Sequence, residues 1–272
     1  MTADQAAFAA LTRKISREAG LTLDAYKDKC LRRRIAVRMR ACGVQTYSEY
    51  QAVLDRIPAE YERLKDAITI NVTRFYRNAE TWNLLRAGLI QELCQANDGE
   101  IRVWSAGCSS GEEPYTLTML FADHLEQQGT PDRLSQLTVD ATDVDRQCLE
   151  RAQAGRYRRD ALAEVPTAWI DRYFEQDGDE CRVIDRLRQR VHVRAADLSN
   201  DPPPRHNYHL ILCRNVVIYF DRPAQERVFA IFAGALAPGG YLVLGKVETL
   251  FGPARGRLTL LDPRERVYRL SA

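Results

Sequence analysis

Two hydrophobic periodicities divide the chain. Through about residue 90 the apolar positions recur every three or four residues, the signature of helices with one buried face. Phe8, Leu11, Ile15 and Ala19 define a first helix that Gly20 ends, with Leu21-Thr22-Leu23 after it. Tyr26 to Arg40 predicts a second helix, broken by Gly43; Thr46 to Leu54 and Ala59 to Ile70 predict two more, separated by Pro58. No strand pattern interrupts this stretch, so a small all-helical domain is expected, with its boundary placed between residues 75 and 76.

From residue 101 short apolar runs alternate with helical segments. Ile101–Ala106, Leu137–Thr142, His192–Ala196, Leu210–Cys213 and Tyr241–Leu244 read as strands. Pro114–Glu126, Asp145–Ala154 and Ala224–Leu236 read as helices, and Leu258–Leu261 and Arg266–Leu270 as two final strands around Asp262-Pro263. Short, wholly apolar strands that alternate with helices imply a mostly parallel sheet covered on both faces, an α/β fold over residues 76–272. Such sheets bind ligands at the carboxyl ends of their strands, where strand order reverses. One stretch breaks the alternation. RYFEQDGDECRVI at residues 172–184 carries Asp177-Gly178-Asp179 between two strand-like arms and predicts a hairpin, an antiparallel flap at about residues 170–190.

Composition narrows the function classes. The 272 residues are 45% hydrophobic and 28% charged with net charge +2, so bulk electrostatics give no reason to expect nucleic acid, and any basic patch is local. No run approaches the ~20 apolar residues of a membrane span. The first 20 residues, with Asp4, Arg13 and Arg17, read as an amphipathic helix with no signal peptide. Seven cysteines (30, 42, 94, 108, 148, 181 and 213) have no CxxC spacing and no histidine pairing, so no zinc or other metal site is expected and the thiols are expected reduced.

Four segments carry candidate chemistry. Gly107-Cys108-Ser109-Ser110-Gly111-Glu112-Glu113 follows the first strand directly and opens a helix. It is either a tight strand-to-helix turn or a place where backbone approaches a ligand; only two glycines are present, so it is not GxGxxG. Its two acids would repel phosphate at a helix start and suit a cationic group such as a sulfonium or ammonium. Asp143, at the end of the second strand, either caps the following helix, for which Asp145 is better placed, or accepts bonds from ribose hydroxyls. Arg214 and Asn215 interrupt the buried run CRNVVIYFD and need partners there, as a salt-bridged arginine and a turn asparagine or as site residues. NVTRFYR at residues 71–77 gathers polar and aromatic side chains between the two regions, a preferred place for a ligand cleft.

Together these segments resemble the CheR-type methyltransferases, which esterify glutamate side chains of bacterial chemoreceptors. The resemblance runs nearly the full length: YKDKCLRRRIAVRM, INVTRFYRN, WSAGCSSGEEPYTL, ATDVD, AGRY, CRNVVIYFD and PGGYLVLGKVETL, in that order. It implies a Rossmann-like S-adenosylmethionine-dependent methyltransferase sheet behind an N-terminal helical receptor-docking domain, in a cytoplasmic enzyme that releases S-adenosylhomocysteine. By resemblance Asn71, Thr73 and Arg77 border the methionine end and the incoming carboxylate. Glu113 holds the amino group, Asp143 the ribose, Asp197 and Leu198 the adenine edge, and Asn215 and Val216 close the floor. Tyr219 is the hydroxyl beside the transferring methyl and, with Arg77, forms the catalytic pair. The chain departs from the family at Asp197, where Asn is usual, and at Lys246-Val247, where His-Ser is common.

The chemistry agrees with that assignment. A glutamate side chain, with reference pKa about 4.3, is ionised at neutral pH and needs no general base. A site without a His, Cys or metal constellation suffices when the work is positioning. Lys27, Lys29, Arg32, Arg33, Arg34, Arg38 and Arg40 crowd the second helix. They form a solvated face, an RNA surface (without the aromatic platforms single strands use), or, by resemblance, a dock for acidic receptor methylation helices through Arg34 and Arg38. Relatives that tether to a receptor's C-terminal pentapeptide have a longer, Gly-rich flap loop; here a single Gly178 in about Gln176–Glu180 predicts no tether. From a different class, a regulatory or scaffold protein that keeps the pocket remains the alternative.

Overall fold

The computed structural model describes residues 2–69 and 71–271. Four helices build the first unit: α1 (Ala3–Ala19), α2 (Asp28–Ala41), α3 (Tyr47–Arg56) and α4 (Ala59–Thr69). Local chemistry sets their ends. Thr2 with Gln5, and Thr46 with Glu49, form reciprocal capping boxes, and Gly20 closes α1 at φ 66°, a conformation that costs glycine little. Apolar stripes from all four meet in one core that includes Phe8, Leu11, Ile15, Ile35, Leu54 and Leu64. The predicted end of the fourth helix, Ile70, lies outside the described residues, as do Met1 and Ala272.

The two α2 arginines expected at a receptor dock differ in their surroundings. Arg38 does not reach outward; it donates through Nε and Nη2 to both oxygens of Glu60, at 2.9 and 2.8 Å, and the Tyr50 hydroxyl donates to the same carboxylate at 2.9 Å. Glu60 is 1% exposed, so its charge must be matched locally, and Arg38 is spent on that task. Arg34 is half-buried, with its Nε shielded and unpaired, whereas Lys29, Arg33, Val37 and Arg40 are exposed on α2.

After the linker come α5 (Ala79–Leu84), a π-helical turn (Leu85–Leu89) and α6 (Ile90–Ala96). These continue the helical stretch but not the first core: Trp82, Leu85 and Leu93 pack with Val103, Leu120 and Val139 of the second unit, as do Phe75 and Tyr76. That unit holds a seven-stranded sheet of β1 (Ile101–Ala106), β2 (Leu137–Asp143), β6 (Val191–Ala195), β7 (Tyr208–Cys213), β8 (Leu236–Leu244), β9 (Leu258–Asp262) and β10 (Val267–Leu270). Its order is β6-β2-β1-β7-β8-β10-β9, with β6, β2, β1, β7 and β8 pairing in parallel and β10 antiparallel to both of its neighbours, β8 and β9. The order reverses between β1 and β7, so a crevice opens beyond the carboxyl ends of those two strands. α7 (Glu112–Gln127) and α8 (Arg146–Ala154) follow β1 and β2 directly. α7 starts two residues before the predicted Pro114, which sits in the first turn where a missing N–H costs nothing.

The flap is larger than a hairpin. Strands β4 (Phe174–Asp177) and β5 (Glu180–Val183) turn through Gly178 and Asp179 as the sequence suggests, and β3 (Arg156–Arg158) adds a third strand in the order β3-β5-β4. The expected span of about 170–190 is therefore incomplete, because three residues just after the Gly155 helix cap carry no strand periodicity. Short helices α9 (Thr167–Tyr173) and α10 (Asp185–Arg188) flank the flap, and α11 (Arg222–Ala235), capped by Asp221, precedes β8. Phe75 packs edge-on against Tyr157 of β3 and Phe174 of β4, at 4.7 and 5.4 Å between ring centres, which pins the linker under the flap. No described helix is long and apolar enough to cross a membrane.

The Glu60 cluster yields a stability prediction. Arg38→Ala leaves a buried carboxylate with only the longer Arg63 contact at 3.7 Å and lowers stability by about 2–3 kcal/mol, discounted from a fully buried pair because the guanidinium edge is wet. Urea unfolding reads the loss, and Arg33→Ala, an exposed change, stays within about 0.5 kcal/mol of wild type.

Candidate functional site

At the strand-order reversal lies a cleft of about 1010 Å³ counted with its open mouth. Ten residues singled out in the sequence line it: Asn71, Thr73, Arg77, Glu113, Asp143, Asp197, Leu198, Asn215, Val216 and Tyr219. Arg34 and Arg38 are not among its walls. Strand order lays the site out linearly, with Asp197 beyond β6, Asp143 ending β2, the glycine turn beyond β1, and Arg214 to Val216 beyond β7.

The glycine turn is shaped by close approach. Gly107 has φ 82°, and a Cβ there would collide with the Val216 side chain. Gly111, at φ 97°, would meet Ala152 and the Tyr157 hydroxyl, each 2.8 Å away. Both therefore need glycine for conformation and for space. The Gly107 and Cys108 amides donate to the Thr142 carbonyl at 2.8 and 2.9 Å, and Ser109 N donates to Asp143 Oδ2 at 2.8 Å. Asp143 Oδ1 accepts from Asp145 N at 3.0 Å, while Asp145 caps α8 through Gln147 N and Cys148 N. The cap and the site acid are thus different residues. Burial raises the Asp143 pKa, opposed by those backbone donors.

Glu113 stands at the other end of the turn. Ser105 Oγ donates to its Oε1 at 2.9 Å and Arg214 Nη1 to its Oε2 at 3.2 Å. Burial pushes its pKa up, and Arg214, Ser105 and Arg77 pull it back. Glu112 faces elsewhere, receiving the Ser110 hydroxyl at 2.8 Å, with Thr73 beside it. Arg214 has a side chain only 3% exposed, and it lies over the Trp82 ring, 5.0 Å from its centre. Its Nη2 donates to the Arg77 carbonyl at 2.7 Å and to Asn78 Oδ1 at 3.1 Å. Arg77 itself curls back to the Val72 carbonyl at 2.7 Å, and Asn71 Nδ2 donates to Asp145 Oδ2 at 2.6 Å, which places that amide beside the Asp143 wall.

The floor is organised by a residue to which the sequence assigned no role. Glu248, 2% exposed, accepts from Gly245 N at 2.6 Å and from Asn215 N and Val216 N at 2.9 Å each. Asn215 is held in the left-handed region at φ 61°, and its Oδ1 is buried with no partner among the described residues. Such an orphaned acceptor in a cavity wall points to a donor on a ligand. Asp197 Oδ1 accepts from Ser199 N and Oγ, at 2.9 and 2.6 Å, which shapes the last wall. Lys246 is not among the cleft walls and pairs with Glu80 and Glu265 at 3.1 Å each, so this departure from the family pattern lies outside the site. Tyr26, Trp82 and Arg214 also line the cavity. Only Arg214 left a trace in the sequence, as a charge inside a buried strand.

Comparison with known proteins agrees with this geometry. Residues 71–264 match the family model described as "CheR methyltransferase, SAM binding domain", and residues 6–69 match "CheR methyltransferase, all-alpha domain". The chain is 32% identical over 251 residues to the chemotaxis protein methyltransferase of Listeria monocytogenes, covering 92% of this chain and 93% of that one. It is 32% identical over 275 residues to the chemotaxis protein methyltransferase of Escherichia coli K12, covering 97% and 90%. A third, from Klebsiella aerogenes, is 33% identical, covering 89% and 82%.

The Glu248 clamp is testable on its own. In Glu248→Gln an amide with one acceptor oxygen and an NH2 group faces several backbone donors. A loss of about 3 kcal/mol is expected, or roughly 6–12 °C in Tm for a chain of this size, measured by calorimetry.

Proposed function

Because this chain belongs to the CheR methyltransferase family, an enzyme family dependent on S-adenosylmethionine, we propose that it methylates glutamate side chains of bacterial chemoreceptors to give methyl esters. The observation that carries this reading is the pair of partly buried acids, Glu113 and Asp143, on one cavity at the strand-order reversal.

The residues fit the cofactor. Glu113 keeps lone pairs for an ammonium, Asp143 keeps lone pairs for a ribose diol, and Asn215 Oδ1 lacks a donor. The cofactor supplies an electrophilic methyl group on a sulfonium that leaves as a neutral thioether. The chain's part is alignment and exclusion of water. A glutamate substrate arrives ionised, so no side chain has to remove a proton. Arg77, at the mouth beside exposed Val72, is placed to hold the incoming carboxylate, and the half-buried Tyr219 faces the same cleft to orient it. Neither should bind it strongly, because ground-state stabilisation slows transfer.

The helical domain serves as the dock for acidic receptor helices in the cytoplasm. With Arg38 committed to Glu60, the exposed Arg33, Val37 and Arg40 of α2 carry that role, with Arg34 at its edge. The two-residue flap turn at Gly178-Asp179 supports direct docking without a pentapeptide tether.

Tritiated methyl transfer to membranes that contain the receptor tests the chemistry. The label should leave as methanol in mild base; base-stable label means N-methylation and rejects the ester. In the same assay Arg33→Glu with Arg40→Glu should raise KM for receptor at least about fivefold, with a salt dependence weaker than wild type. An unchanged KM would remove α2 from docking.

A further inference from the structure

The first unit is tied to the second by a short antiparallel contact. Tyr26 bridges Phe220, Lys27 N donates to the Tyr219 carbonyl at 2.9 Å, and Asp221 N donates to the Ala25 carbonyl at 2.8 Å. Lys27 Nζ adds a bond to the Ile218 carbonyl at 2.8 Å. The strap therefore joins the segment just before α2 to the loop that carries Tyr219. Its central side chain does not point to solvent. The Tyr26 ring stands edge-on to Phe220, 5.2 Å between centres, and forms part of the cleft wall with Asp143, Val144, Asp197 and Leu198. Burial first, then the Asp197 and Asp143 charges, push the phenol pKa up, so the hydroxyl stays protonated and available as a donor.

We propose that Tyr26 is a cofactor-binding residue supplied by the helical domain, closing the nucleoside end of the cleft opposite Asp143 and Asp197. The inference rests on the cofactor reading of the cleft. A phenol there offers an apolar ring edge and one hydroxyl, which matches an adenosine moiety and contributes nothing to the methionine end. A ligand held on one side by β2 and β6 and on the other by Tyr26 stabilises the strap that Tyr26 belongs to. By reciprocity, whatever orients α2 changes affinity for the cofactor by the same factor. Receptor docking on α2 and cofactor occupancy are then linked through three residues, Tyr26, Lys27 and Phe220.

Calorimetric titration with S-adenosylhomocysteine, which needs no turnover, tests this. Tyr26→Phe keeps the ring and removes the hydroxyl, so affinity should fall about threefold; Tyr26→Ala removes both, and about tenfold or more is expected. Hydrogen exchange at the amides of Lys27 and Asp221 in the wild-type protein should slow at least about threefold on addition of S-adenosylhomocysteine. Wild type that binds while both variants match it within twofold overturns the proposal, even where Tyr26→Ala lowers Tm, as does exchange at those amides that ligand leaves unchanged. Wild type that binds no S-adenosylhomocysteine overturns the cofactor reading, and this inference with it.

Discussion

A carboxylate taken out of water has to be held by something, and at the centre of this molecule Arg214 holds Glu113. Arg214 is buried and Glu113 nearly so, so neither member survives well without the other. Its geometry reaches further than two side chains. Arg214 also grips the Arg77 carbonyl and Asn78 and lies over Trp82, while Glu113 takes the Ser105 hydroxyl from β1. One ion pair thus fixes the end of β1, the end of β7 and the linker that leads from the helical unit. The desolvation cost of burying Glu113 is only partly offset by these bonds, which leave an acid with spare lone pairs facing the cleft.

The remaining walls follow the same logic of backbone groups held by buried acids. Asp143 secures the glycine turn through Ser109 N, and Glu248 gathers the amides of Gly245, Asn215 and Val216. Gly107 must be glycine because Val216 occupies the space a side chain would need. The site is therefore largely pre-formed, which suits the proposed reaction, in which an ionised carboxylate needs mainly alignment. Arg77 and Tyr219 sit at its edge, where a protein substrate can reach them.

Much of this was legible before any coordinates. Helix limits followed from Gly20, Thr46 and Asp145, and five parallel strands from short apolar runs. Strand-end position placed Asp143 and the acidic glycine turn at one crevice, and the family resemblance singled out Glu113. What escaped notice depends on contacts distant in sequence. The helical pattern at 79–96 gives no sign of which core it joins, and only packing of Trp82 and Leu93 against the sheet decides it. Arg38 looked like one more surface cation because its partner, Glu60, lies two helices away. β3 is too short for a period of two to show. Tyr26 and Glu248 sit in runs whose pattern explains them locally, as the first residue of a predicted helix, which in the structure starts only at Asp28, and as a polar residue after a strand.

The proposed function gives the cofactor's ammonium group to Glu113 and not to its neighbour Glu112. Titration of S-adenosylhomocysteine into Glu113→Gln and Glu112→Gln, beside wild type, tests it most directly. Loss of a buried charge-assisted bond predicts affinity at least about tenfold weaker for Glu113→Gln, with Glu112→Gln within about threefold of wild type. Equal affinities for all three proteins, or a larger loss at Glu112, would contradict it.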